Sequence, residues 1–241
     1  MQVNSFDAVV IHFLNQFAQK SWLGDHLISA ITDNSLLTGG FMMSLFWWAW
    51  FRSNDEEEKD RRLILSTIFF SSAALFLARA LALLLPFRER PLRNPMLHFR
   101  PPIGEDPQTL LGWSAFPSDH AVLFFALATS VFLLSRKVGI LALSYSFIVV
   151  CLPRIYMGHH YPTDILAGAL LGSSVAYLSR IRRLSNLVSS LPMRWFERSP
   201  ASFYPCLFLV TYLFGTMFQP LISIVIDAGN ASRYIMHRAW F

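Results

Sequence analysis

Six apolar blocks, each near the ~20 residues a helix needs to cross a bilayer, constrain this chain more than any other feature. They run roughly Leu36–Phe51, Leu63–Phe87, Ser118–Leu134, Val138–Pro153, Asp164–Leu178 and Phe203–Ile226. Backbone placed in hydrocarbon must satisfy its own hydrogen bonds, and blocks of this length do so as helices. The expected fold is all-α: a polytopic membrane helical bundle with about six transmembrane helices. Residues 3–20 differ. Val9, Val10, Phe13, Leu14 and Phe17 recur at helical spacing with Asn15, Gln16 and Gln19 between them, which predicts an amphipathic helix lying in the interface. A seventh span there is the alternative.

Charged residues make up 15% of the chain, where a soluble domain carries roughly 25%. Hydrophobic residues reach 54%, and the mean hydropathy of +0.43 points the same way. Disordered, collagen-like and nucleic-acid-binding readings are therefore poor, despite the net charge of +5. The basic residues sit mostly between the blocks, where topology and anionic lipid explain them. If 52–62, 135–137 and 179–200 face the cytoplasm, that side holds 11 of the 20 Lys/Arg and the other side 8, with Arg79 inside a span. Both termini then lie outside. Cys151 and Cys206 fall in apolar stretches with no zinc-ligand spacing. The first residues, MQVNSFDAVV, carry no basic n-region, so no cleaved signal peptide is expected. One membrane domain, 1–241, is read, with 184–241 as a basic loop and the last span.

Three polar clusters sit at the expected outer ends of the spans. Loop 88–117, rich in Pro and Arg, is long for a connection without function. It predicts an anion-binding surface stiffened by prolines, with Arg90-Pro91 foremost, because a guanidinium forks onto two phosphate oxygens. Phe116-Pro117-Ser118-Asp119-His120 reads as a helix start. The same free N–H groups and dipole that favour Ser118 as a cap suit a phosphate, and His120 titrates near neutral pH. The third cluster runs from Pro153 and Arg154 through Gly158-His159-His160 to Thr163-Asp164. Asp164, four residues after His160, is placed to accept a hydrogen bond from one imidazole nitrogen and leave the other free to attack. Arg154 is placed to stabilise phosphoryl charge. Structural explanations compete with each: a solvated cap, a well-made helix start, a satisfied histidine.

These three clusters resemble the signature of the type 2 phosphatidic acid phosphatase (PAP2) superfamily, membrane lipid phosphatases related to vanadium-dependent haloperoxidases. The third cluster matches from Arg154 through His160 to Asp164 at full spacing. The second matches as Pro117, Ser118 and His120, with Asp119 where Gly is usual, and the first as Arg90-Pro91. The resemblance covers about residues 60–180. Its first-motif Lys falls at Leu83; Arg79, one turn earlier, or Arg88 is the nearest substitute, and Pro153 replaces a Ser.

The resemblance implies a PAP2/haloperoxidase-like core and a catalytic set of His160, His120 and Asp164. His160 attacks phosphorus to form a phosphohistidine, Asp164 orients it, and His120 protonates the leaving oxygen and then activates water. Arg90, Ser118, Arg154, Arg79 and Arg88 hold the phosphate. It implies no cofactor and no metal, the arginines supplying the positive charge. The implied substrate is a lipid phosphate or diphosphate, with membrane lipids as neighbours and no nucleic acid. Undecaprenyl diphosphate is favoured, because the compact layout resembles bacterial members that recycle this carrier. Phosphatidylglycerol phosphate, phosphatidic acid and lipid A are alternatives. The implied location is the bacterial cytoplasmic membrane, with the site facing the periplasm or outside. Two other classes stay open: a metal-dependent hydrolase using His120, His159, His160 and Asp164, and a non-catalytic lipid-binding or transport protein.

Overall fold

The computed structural model describes residues 3–53, 55–221 and 223–224, and every regular element among them is helical. In chain order these are α1 (Ser5–Asn15), α2 (Trp22–Asp33), α3 (Phe41–Phe51, entered through a π turn at Leu36–Gly40) and α4 (Glu57–Leu84). After the long loop come α5 (Asp119–Leu134), α6 (Arg136–Tyr145) and α7 (Leu152–Tyr156). A π turn at Ser146–Cys151 makes the last two one continuous helix. α8 (Pro162–Ser179), α9 (Arg182–Arg198) and α10 (Pro200–Gly215) complete the described chain.

Two helices are long and apolar enough to cross a membrane by themselves, Glu57–Leu84 and Arg136–Tyr156. Leu36–Phe51, Asp119–Leu134 and Pro200–Gly215 are apolar but shorter. The distal end of the expected last span, beyond Ile224, and Arg233 and Arg238 lie outside the described residues.

α5 is the axis of the bundle. Its residues from Ala121 to Val131 are buried almost without interruption, and it packs on α8, α6 and α4. Small residues set how closely. A Cβ on Gly172 would lie 2.1 Å from the Val122 carbonyl oxygen, and one on Gly168 would lie 2.6 Å from that of Ser118. The two backbones therefore touch, as small residues four apart permit between membrane helices. Hydroxyls tie the helices inside the apolar core. Thr67 meets Ser130 at 2.7 Å, Thr129 meets Ser173 at 3.0 Å and Ser66 meets Ser185 at 2.8 Å.

Two elements differ from the sequence expectation. α1 is amphipathic, but Asp7 and Asn15 point inward while Ser5 and His12 are exposed. Asp7, Ile11 and Asn15 are buried at i, i+4 and i+8, while Phe6, Val9, Phe13 and Phe17 are exposed. That polarity suits a helix whose outer face meets lipid. Segment 184–198, read as part of a basic loop, is helical. In α9, Ser185, Ser189 and Met193 form a buried stripe and Leu187, Leu191 and Trp195 an exposed one.

Candidate active site

The site forms where the first turns of α5 and α8 lie side by side. Ser118 caps α5, its Oγ accepting from the Ala121 N–H at 3.4 Å, and its own N–H donates to the Asp164 carbonyl at 3.3 Å. Pro162 opens α8, and the Asp164 Oδ2 accepts from the Tyr161 N–H at 2.7 Å. The glycine contact between the helices thus holds two sequence-distant helix starts at one end of the bundle.

His160 sits in the turn just before α8. Gly158, at φ 74°, makes that turn possible. A Cβ there would lie 2.8 Å from the Phe99 ring, and the Gly158 carbonyl accepts from the Leu92 N–H at 3.0 Å. The histidine turn is thereby fastened to the segment following Arg90-Pro91. The His160 Nδ1 lies 2.8 Å from the Ala115 carbonyl oxygen. A carbonyl only accepts, so Nδ1 carries the proton and Nε2 presents its lone pair. Asp164, expected to take that hydrogen bond, stands at 3.8 Å from Nδ1, within ion-pair range but beyond hydrogen-bond range. Ala115, 45 residues upstream, sets the tautomer instead. Burial pulls the His160 pKa down to about 4, reinforced by Arg90 and opposed by Asp164 and the Ala115 carbonyl. The ring is neutral at physiological pH.

His120, in the first turn of α5, stacks on Phe124 with ring centroids 6.3 Å apart. Its electrostatic neighbours include Arg154, His160, His159 and Arg79. The two histidines expected to share one phosphorus are therefore on the same end of the bundle.

The five phosphate-binding candidates take distinct positions. Arg90 is buried, its Nη1 donating to the His159 carbonyl at 2.5 Å, Nε to that of Trp113 at 3.1 Å and Nη2 to that of Ser114 at 3.2 Å. Burial lowers its pKa to about 10, so it stays charged near neutrality. Arg154 is also buried and donates to the Val150 and Thr32 carbonyls at 2.6 and 3.3 Å. Ser118 is fully buried at its cap.

Arg79 pairs with Asp119 at 2.6 Å and lies over the Trp113 ring at 4.6 Å. Two of the three departures from the usual motifs thus meet: Arg79, the cation nearest the missing Lys, pairs with Asp119, which stands in place of Gly. Leu83 itself is exposed. Arg88 differs from expectation. It bridges two buried carboxylates, Asp164 through Nη1 and Asp7 through Nη2 at 2.7 Å, and stacks on Tyr161 at 4.0 Å. A guanidinium neutralised on both sides is a structural bridge rather than a free phosphate ligand.

Loop 88–117 is likewise less open than its composition implies. Arg93 donates to the Thr109 carbonyl at 2.8 Å and pairs with Glu89 at 2.8 Å. The N-terminal helices fasten the loop from the other side. Asn15 exchanges hydrogen bonds with the Arg100 backbone at 2.7 and 2.9 Å, and Asp25 accepts from the Ile103 N–H at 2.8 Å. Sequence reasoning missed Asp7, Asp25, Glu105 and Ala115. Glu105 meets the His159 Nε2 at 2.9 Å with both side chains nearly buried, which gives His159 a partner. Among the described residues, no group of three or more His, Cys, Asp or Glu side chains is arranged to hold a metal ion.

Residues 87–186 match the family model of the PAP2 superfamily. This segment contains every site residue named above except Arg79, Asp7, Asn15, Asp25 and Thr32. Three curated proteins are similar over shorter stretches. The bacitracin transport permease protein BcrC of Bacillus licheniformis is 49% identical over 59 residues, 24% of this chain and 29% of that protein. The undecaprenyl-diphosphatase of Sulfolobus acidocaldarius is 35% identical over 65 residues, 27% of this chain and 32% of that protein. The undecaprenyl-diphosphatase BcrC of Bacillus subtilis is 29% identical over 82 residues, 33% and 42% of the two chains. The similarity thus spans well under half the length of each relative. No solved structure matches the chain.

Proposed function

We propose that the protein is an integral membrane phosphatase that hydrolyses a lipid diphosphate, foremost undecaprenyl diphosphate to undecaprenyl phosphate, without a metal. The observation that carries this reading is the meeting of His160, His120, Arg90 and Arg154 at one end of the α5–α8 pair. These residues come from three motifs spread over about 70 positions. The names of two similar proteins, both undecaprenyl-diphosphatases, support the substrate.

Each step follows from a local feature. The neutral His160 offers Nε2 to the terminal phosphorus; the N–P bond forms as the P–O bond to the lipid phosphate breaks. His120 donates its proton to that leaving oxygen. It then takes a proton from water, whose oxygen attacks the phosphohistidine and releases inorganic phosphate. Positive charge from Arg90 and Arg154, fixed before substrate arrives, stabilises the transferring group. Asp164 faces the Nδ1 side of His160 at 3.8 Å and favours the imidazole as it becomes positively charged. In this reading about six helices span the bilayer, with the site at the periplasmic or outer boundary.

Purified protein offered undecaprenyl diphosphate, phosphatidylglycerol phosphate, phosphatidic acid, lipid A and a soluble phosphate ester, all in EDTA, tests the assignment. Fastest phosphate release from undecaprenyl diphosphate is expected. Fastest release from the soluble ester contradicts a lipid phosphatase, and loss of all activity in EDTA contradicts metal-free chemistry.

A further inference from the structure

The N-terminal helix contributes a fully buried carboxylate that the phosphatase chemistry leaves unused. Asp7 has no solvent exposure, and it accepts from four donors. They are Asn4 Nδ2 at 2.6 Å, Arg88 Nη2 at 2.7 Å, Thr163 N–H at 2.9 Å and Thr163 Oγ1 at 2.6 Å. α1 lies wholly outside the segment 87–186 that matches the superfamily. Two of the donors belong to α8 and one to the loop preceding the arginine motif. A helix needing only a lipid-facing anchor has no use for a carboxylate at this depth, since burying one is costly unless it is fully paired.

We propose that Asp7 is a positioning residue for the phosphoryl-transfer site, acting through Arg88 on Asp164 and so on His160. This inference rests on the phosphatase reading above. Arg88 has one carboxylate on each terminal nitrogen, and its Nη1 also donates to Thr163 Oγ1 at 3.0 Å. Asp7 therefore fixes where the guanidinium stands, and the guanidinium fixes Asp164 Oδ1. The other oxygen, Oδ2, bonds the Tyr161 N–H and faces the His160 Nδ1. Without Asp7, Arg88 keeps a single carboxylate partner and is free to swing with it. Asp164 then moves relative to the imidazole it steadies. The α1 helix thus completes the site instead of merely shielding it.

The test measures kcat and KM for undecaprenyl diphosphate with the full chain in detergent, per mole of folded protein. Asp7→Asn is expected to lower kcat about 10- to 100-fold with KM changed less than about threefold, as for a misplaced reacting group. In an Arg88→Gln background the same change is expected to cost less than about threefold more, because both act on one path. Ile11→Ala, which opens a gap beneath α1 but leaves every donor to Asp7 in place, is expected to lower the melting temperature without lowering kcat. Wild-type kcat in Asp7→Asn, or full additivity with Arg88→Gln, overturns the proposal. So does an equal kcat loss in Ile11→Ala. Should Asp7→Asn not fold, Asp7→Glu carries the test, with lowered kcat and retained KM expected and wild-type kcat overturning it. Wild-type protein that releases no phosphate sinks the phosphatase reading itself, a separate outcome.

Discussion

The two ends of the α5–α8 pair carry similar charged residues and treat them in opposite ways. At the C-terminal end, Lys59 pairs with Glu56, Arg61 with Glu57 and Arg62 with Glu58, all close neighbours in sequence, with the carboxylates exposed and Arg61 and Arg62 partly covered. A cavity of about 900 Å³ opens there, lined by Arg52, Asp60, Arg62, Ser179, Arg180 and Arg182 among others. At the N-terminal end, Arg90, Arg154, Asp7, Asp164, His159 and His160 are buried, and their partners come from distant parts of the chain. Exposed pairs within a helix are screened and weak; buried groups cannot be satisfied by water and so must be satisfied by geometry. Burial at the second end fixes the tautomer of His160 and the direction of each guanidinium.

The strongest way to break this comparison is to remove His160, the proposed nucleophile. His160→Ala is expected to lower kcat at least about 10³-fold, read as phosphate released from the lipid diphosphate. Residual activity near wild type would assign the chemistry elsewhere.

Acid comes next. The folded-state pKa of His160, near 4, lies below its ordinary 6.5 because burial disfavours the charged ring. The unfolded chain then binds the proton first as pH falls. His160's contribution is intact above pH 6.5 and declines toward pH 4, by about 3 kcal/mol at the lower limit. Denaturant titrations across that window measure the slope, and His160→Asn is expected to flatten this part of it. A slope identical in the variant would mean the ring is not buried neutral.

Gly172→Ala places a Cβ 2.1 Å from the Val122 carbonyl and forces α5 from α8. A cost of about 2 kcal/mol is expected, together with reduced kcat, since the two helix starts separate. Unchanged stability and activity would show that the helices do not need that contact.

Glu58→Gln at the opposite end is the smallest effect. It breaks the exposed pair with Arg62 and is expected to change stability by less than about 0.5 kcal/mol, with kcat unaltered. A loss of activity there would show that the two ends are coupled.

Much of the site was legible in the sequence because its motifs are short and sit at helix starts. Pro117-Ser118 and Pro162 announce where α5 and α8 begin, so His120 and His160 are placed near helix N-termini by local rules alone. What the sequence hid depends on partners far along the chain. Arg88 and Arg90 look alike in loop 88–117, yet one bridges two carboxylates and the other binds three backbone carbonyls. No local pattern distinguishes them. The Ala115 carbonyl carries no side-chain signal at all, so the hydrogen bond expected at Asp164 was assigned to the nearer carboxylate.

The fold was legible as all-helical because long apolar blocks have few alternatives. In α9 the arginines give the composition of a basic loop, yet the segment is helical. The missed signal is the Ser185, Ser189, Met193 stripe at four-residue spacing, which packs against α4. In α1 the helical period was visible, but periodicity does not say which face points inward. Asp7 and Asn15 decide that, through partners 81 to 156 residues away.

The most direct measurement is to trap the proposed covalent intermediate. Protein mixed with undecaprenyl diphosphate labelled on the terminal phosphorus, in EDTA, is quenched within milliseconds under alkaline conditions and digested. The account predicts label on the peptide bearing His160, stable to alkali, lost in acid and absent from His160→Ala. Rapid turnover with no labelled protein, or label carried by another residue, would contradict it.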